Sequence, residues 1–152
     1  MLSMKAKYGI RALTALAHDY GSGPVLIADL ARREKIPRKF LELILLDLKR
    51  KGILLSKKGK GGGYSLSRPP ELIMLGVVIR ALDGPLALLP CVSQTAYRRC
   101  DECVDEMTCG IRSVMKEVRD QTAAILDATS LSNLMLRSSR MIESAQPVMY
   151  HI

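Results

Sequence analysis

The chain has 152 residues, which is too short for a large multidomain enzyme. Of these residues 48% are hydrophobic and 25% charged, and this hydrophobic content is enough to bury one core. It contains one Phe, five Tyr and no Trp, so its core must consist of aliphatic side chains and Met, a composition that favours helices over a β-sandwich. Residues 1–70 carry 15 Lys and Arg against 5 Asp and Glu, whereas residues 71–152 carry 8 against 10, and this basic N-terminal half predicts a polyanionic partner.

The N-terminal third of the sequence predicts three helices. Apolar residues recur at helical spacing over residues 7–20, and a Gly-Ser-Gly-Pro turn follows. A short second helix is expected over 28–35, and a third begins at Pro37 and stops at Gly52. Because so few residues separate the second and third helices, the pattern indicates a helix-turn-helix.

A β-hairpin is expected after the third helix. Two short strands, 53–57 and 64–67, flank a segment of Gly and Lys, which predicts a hairpin with a flexible basic tip. A further helix over 72–82 ends before a Gly-Pro pair. These elements predict a mainly α fold with a small β-hairpin wing, with a winged helix-turn-helix DNA-binding domain over residues 1–85.

The rest of the chain holds a cysteine-bearing sensor loop, residues 86–110, followed by an amphipathic helix. Four apolar residues share one face of this helix: Ile111, Val114, Val118 and Ile125. This apolar stripe predicts a long dimerisation helix that packs against a second copy of the chain, and the alternative is that it folds back on its own domain. A short helix is expected to end near residue 136, with residues 137–152 as a C-terminal tail.

Candidate DNA contacts lie mainly at the start of the third helix and at the hairpin tip. The first residues of a recognition helix reach base edges in the major groove, where Arg and Lys read guanine and Glu accepts from cytosine. A carboxylate there repels phosphates, so a DNA-facing Glu42 would contribute specificity, although an ordinary solvated helix start is the alternative reading. The predicted DNA-binding residues are Lys5, Arg38, Lys39, Glu42, Lys58 and Lys60.

All cysteines of the chain lie in the sensor loop, and they are Cys91, Cys100, Cys103 and Cys109. Four thiolates can complete a zinc site or bind an iron–sulfur cluster. Free thiols or two disulfides are the alternative. The carboxylates in the same loop would raise the thiol pKa unless a cation is bound, which favours a metal at these cysteines.

The sequence shows no targeting segment, and its longest apolar run, residues 72–79, is far below the ~20 residues that span a bilayer. We therefore expect a cytoplasmic protein with no membrane partner, in a compartment where thiols stay reduced. Neither histidine lies in a recognisable catalytic motif. The sequence therefore predicts no enzyme and no small-molecule substrate.

Several segments together resemble the bacterial transcription factors that include IscR, NsrR and RirA, called the Rrf-two family. The segments that carry the resemblance are 5–13, 36–42, 60–66, 82–86 and 129–131. The resemblance implies a homodimeric winged-helix repressor or dual regulator whose long C-terminal helix crosses that of its partner. Members with cysteines before this helix commonly hold an iron–sulfur cluster and sense iron, nitric oxide or redox state.

The resemblance also assigns roles to individual residues. Arg38, Lys39 and Glu42 match recognition-helix positions, and Lys60 matches the wing tip. The usual three cluster ligands match Cys91, Cys103 and Cys109, whereas Cys100 is additional and is either a fourth ligand or a resolving thiol. We therefore expect a repressor that binds an operator in double-stranded DNA and is controlled by an iron–sulfur cluster. Zinc is the less favoured metal, and structural zinc or a thiol–disulfide switch at the same cysteines is the alternative.

Overall fold

The computed structural model describes residues 2–145, which form six α-helices and one two-stranded antiparallel sheet. The helices are α1 (Met4–His18), α2 (Ile27–Glu34), α3 (Arg38–Arg50), α4 (Leu75–Asp83), α5 (Gly110–Asp127) and α6 (Leu131–Ala145). The strands are β1 (Leu54–Lys57) and β2 (Gly63–Leu66), and short 3-10 turns cover Pro70–Leu72 and Pro90–Val92. The expected mainly α fold with a hairpin wing is confirmed.

The crossing of α1 and α4 forms one side of the core. The Ser3 hydroxyl caps α1 by accepting from the Ala6 amide at 3.0 Å, and Asp83 at the end of α4 accepts from the Ser3 amide at 2.9 Å. A Cβ at Gly9 would lie 2.3 Å from Leu82 Cδ1, so the missing side chain at Gly9 allows the two helices to approach closely. The hydrogen bond between Ser3 and Asp83 joins the N-terminus of α1 to the C-terminus of α4.

The helix-turn-helix is formed by α2 and α3. Lys35 adopts a left-handed conformation with φ of 50°, which ends α2, and Pro37 caps α3. Between them Ile36 is buried in the core. On α3 the buried side chains recur at helical spacing, and they are Leu41, Ile44, Leu45 and Leu48. The opposite face of α3 is therefore accessible to a ligand.

The hairpin is attached to the chain segment that precedes α2. Leu54 pairs with Leu66 and Lys57 with Gly63, and a bridge between Val25 and Tyr64 adds two backbone hydrogen bonds of 2.8 and 2.9 Å. Gly63 has a φ of +138°, and a Cβ there would lie 2.2 Å from the Val25 carbonyl oxygen. The wing therefore depends on glycine at this position.

The C-terminal helix α6 folds back onto the N-terminal core. Leu131 is fully buried in the same cluster as the side chains of α1 and α3, and its amide donates to the Ile73 carbonyl at 2.9 Å. The expectation of a short helix followed by a tail from residue 137 is wrong, because α6 continues to Ala145. The Ser138 and Ser139 hydroxyls donate to carbonyls one turn earlier, so these polar residues fit a helix. The rest of the expected tail, 146–152, lies outside the described residues.

Among the helices of the described residues, α5 is the one without a buried residue. None of its side chains is fully buried, and it contacts α4 and the turn Pro90–Val92. Over residues 2–145, no helix combines the length and the hydropathy that a bilayer crossing requires.

Candidate DNA interface and cysteine site

The start of α3 presents charged side chains to solvent. Arg38 and Lys39 are exposed, and Arg38 Nε donates to Glu42 Oε1 at 3.1 Å. Residues four apart share one helix face, so this ion pair lies on a single exposed surface. The structure therefore brings two of the predicted base-reading residues together.

The other predicted DNA contacts lie on different elements. Lys58 and Lys60 are exposed on the tip between β1 and β2. Lys5 on α1 is already engaged, because its ammonium donates to Asp47 at 2.7 Å and holds the pKa of that carboxyl below its ordinary value. Sequence patterns did not predict this pair, since Asp47 lies far along the chain from Lys5.

The four cysteines line one open cavity of about 500 Å³ at the start of α5. All are free thiols; Cys91 is buried in the turn Pro90–Val92, and the other three are half-buried. The apolar side chains Leu89, Val104 and Ile111 share the lining. The structure thus collects every predicted ligand at one place.

The neighbouring thiols of the cavity affect the pKa of Cys100. A hydrogen bond with the Cys91 thiol, followed by desolvation, raises the pKa of Cys100 above its ordinary value, and negative charge at Cys91, Cys109 and Asp101 acts in the same direction. The additional cysteine is therefore part of the cluster of thiols rather than a remote side chain.

Cys109 connects the cavity to α5. It is the N-cap residue of this helix, and its Sγ accepts a hydrogen bond from the Arg112 amide at 3.4 Å. Arg112 also lines the cavity. Arg112 was not among the predicted site residues, although its spacing of three residues from Cys109 places it one helical turn away.

The donor set suits a thiophilic metal, since soft thiolate ligands select zinc and iron–sulfur clusters. Within the described part of the chain, no three side chains of His, Cys, Asp or Glu lie close enough together to hold one ion. Coordination by three of these thiols would therefore require the sensor loop to close around the metal.

The apolar stripe of α5 is exposed along its whole length. Its side chains have exposed fractions of 68% at Ile111, 55% at Val114, 38% at Val118 and 62% at Ile125. Contiguous exposed apolar surface of this kind marks interaction sites. Ile111 belongs both to the stripe and to the lining of the cysteine cavity, so the two features are adjacent.

Comparison with known proteins identifies similar chains of matching length. A family model described as Rrf2: Iron-dependent Transcriptional regulator matches residues 2–137. An rrf2-like HTH-type transcriptional regulator of Rhodobacter capsulatus is 38% identical over 138 residues, covering 89% of this chain and 92% of that protein.

Solved structures resemble the fold over most of the chain. CymR, described as the global cysteine regulator of B. subtilis, matches with a TM-score of 0.74 at 26% identity and covers 90% of this chain and 97% of its own. IscR of T. potens matches with a TM-score of 0.72 at 30% identity and covers 99% of this chain and 96% of its own.

Proposed function

The chain belongs to the Rrf2 (Rrf-two) family of transcriptional regulators, and from this membership we infer that it is a homodimeric, sequence-specific DNA-binding repressor controlled by an iron–sulfur cluster. The observation that carries the inference is the placement of all four cysteines on one cavity at the N-terminus of α5, the helix with the exposed apolar stripe. A sensor site and a dimer seam on one helix can control the geometry of two DNA-binding units.

The DNA is contacted by the start of α3 and by the wing. Arg38, Lys39 and Glu42 read base edges in the major groove, and Lys58 and Lys60 hold phosphates. These residues belong to the basic N-terminal half of the chain, which complements the charge of a duplex.

Cys91, Cys103 and Cys109 would hold the cluster, and Cys100 supplies a fourth sulfur at the same cavity. When bound, the cluster supplies a redox-active group whose potential depends on its thiolate ligands and their hydrogen bonds. The chain itself ties these ligands to α5 at two points. Cys109 caps the helix, and Arg119 of α5 donates to the Val92 carbonyl beside Cys91.

These two attachments suggest how the sensor loop reaches the DNA. A change in the positions of Cys91 and Cys109 reorients α5, because both ends of the loop are bonded to that helix. In a dimer that packs along α5, this reorientation changes the spacing of the two recognition helices. A dimeric helix-turn-helix protein binds two half-sites at a fixed spacing, so a change in the distance between its recognition helices changes its affinity for the operator.

The proposal is tested with protein purified without oxygen and a duplex that the protein selects from a randomised library. The wild type is expected to be coloured, and its affinity for that duplex is expected to change when the cluster is removed. A variant that combines Cys91→Ala, Cys103→Ala and Cys109→Ala should be colourless, and its affinity for the duplex should not change after cluster reconstitution. Equal affinity of the wild type with and without the cluster would overturn the switch. The matched control is Cys100→Ala, which removes one thiol and keeps the usual three.

The placement of Cys91 and Cys100, both free thiols, on the same cavity favours a second candidate, a thiol–disulfide switch in the same regulator. Hydrogen peroxide would oxidise the two thiols to one disulfide and be reduced to water. Mass spectrometry of peptides after mild peroxide treatment should then detect a Cys91–Cys100 crosslink, accompanied by a change in DNA affinity that Cys100→Ala abolishes. A structural zinc site would instead give colourless protein with zinc in the metal analysis.

A further inference from the structure

Arg112, which lines the cysteine cavity, carries an unpaired polar atom. Its Nε is shielded from solvent, and it is the one buried side-chain nitrogen or oxygen between residues 2 and 145 that has no hydrogen-bond partner. Buried guanidinium N–H groups are nearly always paired, so an orphaned one points to a partner that binds there. The cavity that Arg112 lines also contains the four thiols.

The carboxylates of the sensor loop do not serve as this partner. Asp105 accepts from the Met107 amide at 3.1 Å and from the Thr108 hydroxyl at 2.8 Å, and Glu106 accepts from the Tyr97 hydroxyl at 2.6 Å. Asp101 and Glu102 are exposed. Glu102 and Asp105 also line the cavity, but neither is bonded to the buried Nε, whose side chain shares this lining with the four thiols.

We propose that Arg112 donates through Nε to a ligating sulfur when metal is bound at the cysteines, and that its charge offsets the negative charge of the thiolate site. This rests on the proposed metal site, and it makes Arg112 a positioning residue rather than a ligand. Three or four thiolates around a divalent ion or an iron–sulfur cluster leave a net negative charge, which the nearby carboxylates increase. The Arg112 amide already donates to Cys109 Sγ, so Cys109 is the acceptor nearest in the chain.

The experiment uses the full chain in its metal-free form, titrated with Co²⁺ under anaerobic conditions. Thiolate-to-cobalt charge-transfer absorbance reports sulfur ligation. Arg112→Gln is expected to raise the dissociation constant for Co²⁺ by about 10–100-fold, the usual effect of removing a partner that orients a metal ligand. Arg112→Lys keeps the charge without Nε and should cause a smaller loss.

Lys116→Gln is the matched control, because it removes an equal charge from an exposed position one turn further along α5. Its dissociation constant should equal that of the wild type. If Arg112→Gln binds Co²⁺ as tightly as the wild type, or if Lys116→Gln loses as much, the role of Arg112 is overturned. If the wild type shows no thiolate band, the metal site itself is overturned together with the role of Arg112.

A second measurement separates this role from a merely structural one. In protein reconstituted with a cluster, Arg112→Gln should lower the midpoint reduction potential, because the reduced cluster is the more negative state and loses a nearby positive charge. Thermal unfolding of the metal-free variants should match that of the wild type. A potential that is unchanged in Arg112→Gln would contradict the proposed hydrogen bond.

Discussion

Arg80 on α4 and Asp127 at the end of α5 form a bidentate ion pair, with Nη1–Oδ1 at 2.6 Å and Nη2–Oδ2 at 2.9 Å. A Cβ at Gly76 would lie 1.8 Å from Asp127 Oδ1, so the absence of a side chain there admits the carboxylate against α4. This pair attaches the end of α5, a helix that buries none of its side chains fully, to α4. A reorientation of α5 would therefore act on α4 through this ion pair.

The ion pair should contribute measurably to stability, and the contribution should depend on pH. We expect a double-mutant cycle with Arg80→Gln and Asp127→Asn to give a coupling energy of about 0.5–1 kcal/mol at pH 7, since the geometry is bidentate but the side chains are 29% and 45% exposed. Urea unfolding of the wild type, the two single variants and the double variant measures this coupling. Additive effects of the two substitutions would show that the pair contributes nothing.

The pH dependence of this coupling follows from the carboxyl group. The hydrogen bond from Arg80 holds the pKa of Asp127 below its ordinary value. A carboxyl whose pKa is depressed by folding contributes its stability above the unfolded pKa, near 3.9, and loses it as pH falls through the folded pKa. The coupling should therefore be constant from pH 7 to about pH 5 and decline below about pH 4, whereas the Asp127→Asn variant should not show this part of the decline.

Gly63 should be intolerant of a side chain. Gly63→Ala places a methyl group 2.2 Å from the Val25 carbonyl oxygen in a backbone conformation that L-residues rarely adopt, and we expect it to destabilise the fold by about 2–3 kcal/mol. Gly61→Ala is the control, because Gly61 also has a positive φ of 73° but no atom within 4 Å of the position that a Cβ would occupy, so only about 1 kcal/mol is expected. Equal losses in urea unfolding would argue against the close contact between the wing and Val25.

Local patterns predicted most of the N-terminal elements, because their cause is local. The spacing of apolar residues after Pro37 predicted α3, and the glycines of the hairpin tip predicted the two strands. Both predictions fall within a few residues of the observed bounds. The bridge between Val25 and Tyr64 and the return of Leu131 to the core join segments far apart in sequence. Periodicity within one helix or strand carries no information about such pairings.

The cysteine site was predictable as a group but not in its details. All four thiols lie in one short segment, so their proximity follows from chain length alone. The position of Cys100 among the other thiols and the orphaned Nε of Arg112 depend on how the sensor loop folds. A loop without regular secondary structure has no repeating pattern from which side-chain directions can be predicted.

The wing lysines should contribute affinity without sequence preference. Each phosphate contact that is lost reduces the slope of log K against log salt by ~0.9, so Lys58→Ala or Lys60→Ala should each lower the slope by about 2 in a dimer with both wings bound. Fluorescence anisotropy with a selected duplex and a scrambled duplex, at several salt concentrations, measures both slopes. Lys116→Ala on α5 should leave them unchanged, and a wing variant that weakened only the selected duplex would contradict a phosphate role.

Glu42 should contribute specificity at the expense of affinity. Its carboxylate repels phosphates, so Glu42→Ala should tighten binding to scrambled DNA while relaxing discrimination at one base pair by about 1–3 kcal/mol. The substitution also frees Arg38, which Glu42 pairs at 3.1 Å. Competition binding with duplexes that vary at each position measures the change. Glu71→Ala removes an equally negative exposed residue outside α3 and should affect neither quantity.

The apolar stripe of α5 should hold the dimer together. Val118→Asp places a charge in the middle of the stripe, and an unpaired carboxylate between two apolar helices disfavours their association. We expect the variant to sediment as a monomer at micromolar concentration, where the wild type sediments as a dimer. Affinity for a duplex with two half-sites should fall towards that for a single half-site, because the two recognition helices are no longer linked.

Val77→Asp provides a matched control for this substitution. Val77 on α4 is 45% exposed, close to the 38% of Val118, and it lies outside the stripe. Its replacement should therefore leave a dimer with unchanged DNA binding, since the cost of an aspartate on a solvated helix face is small. If Val118→Asp remained dimeric while Val77→Asp became monomeric, the seam would lie on α4 rather than α5, and the sensor loop would lose its direct connection to the spacing of the recognition helices.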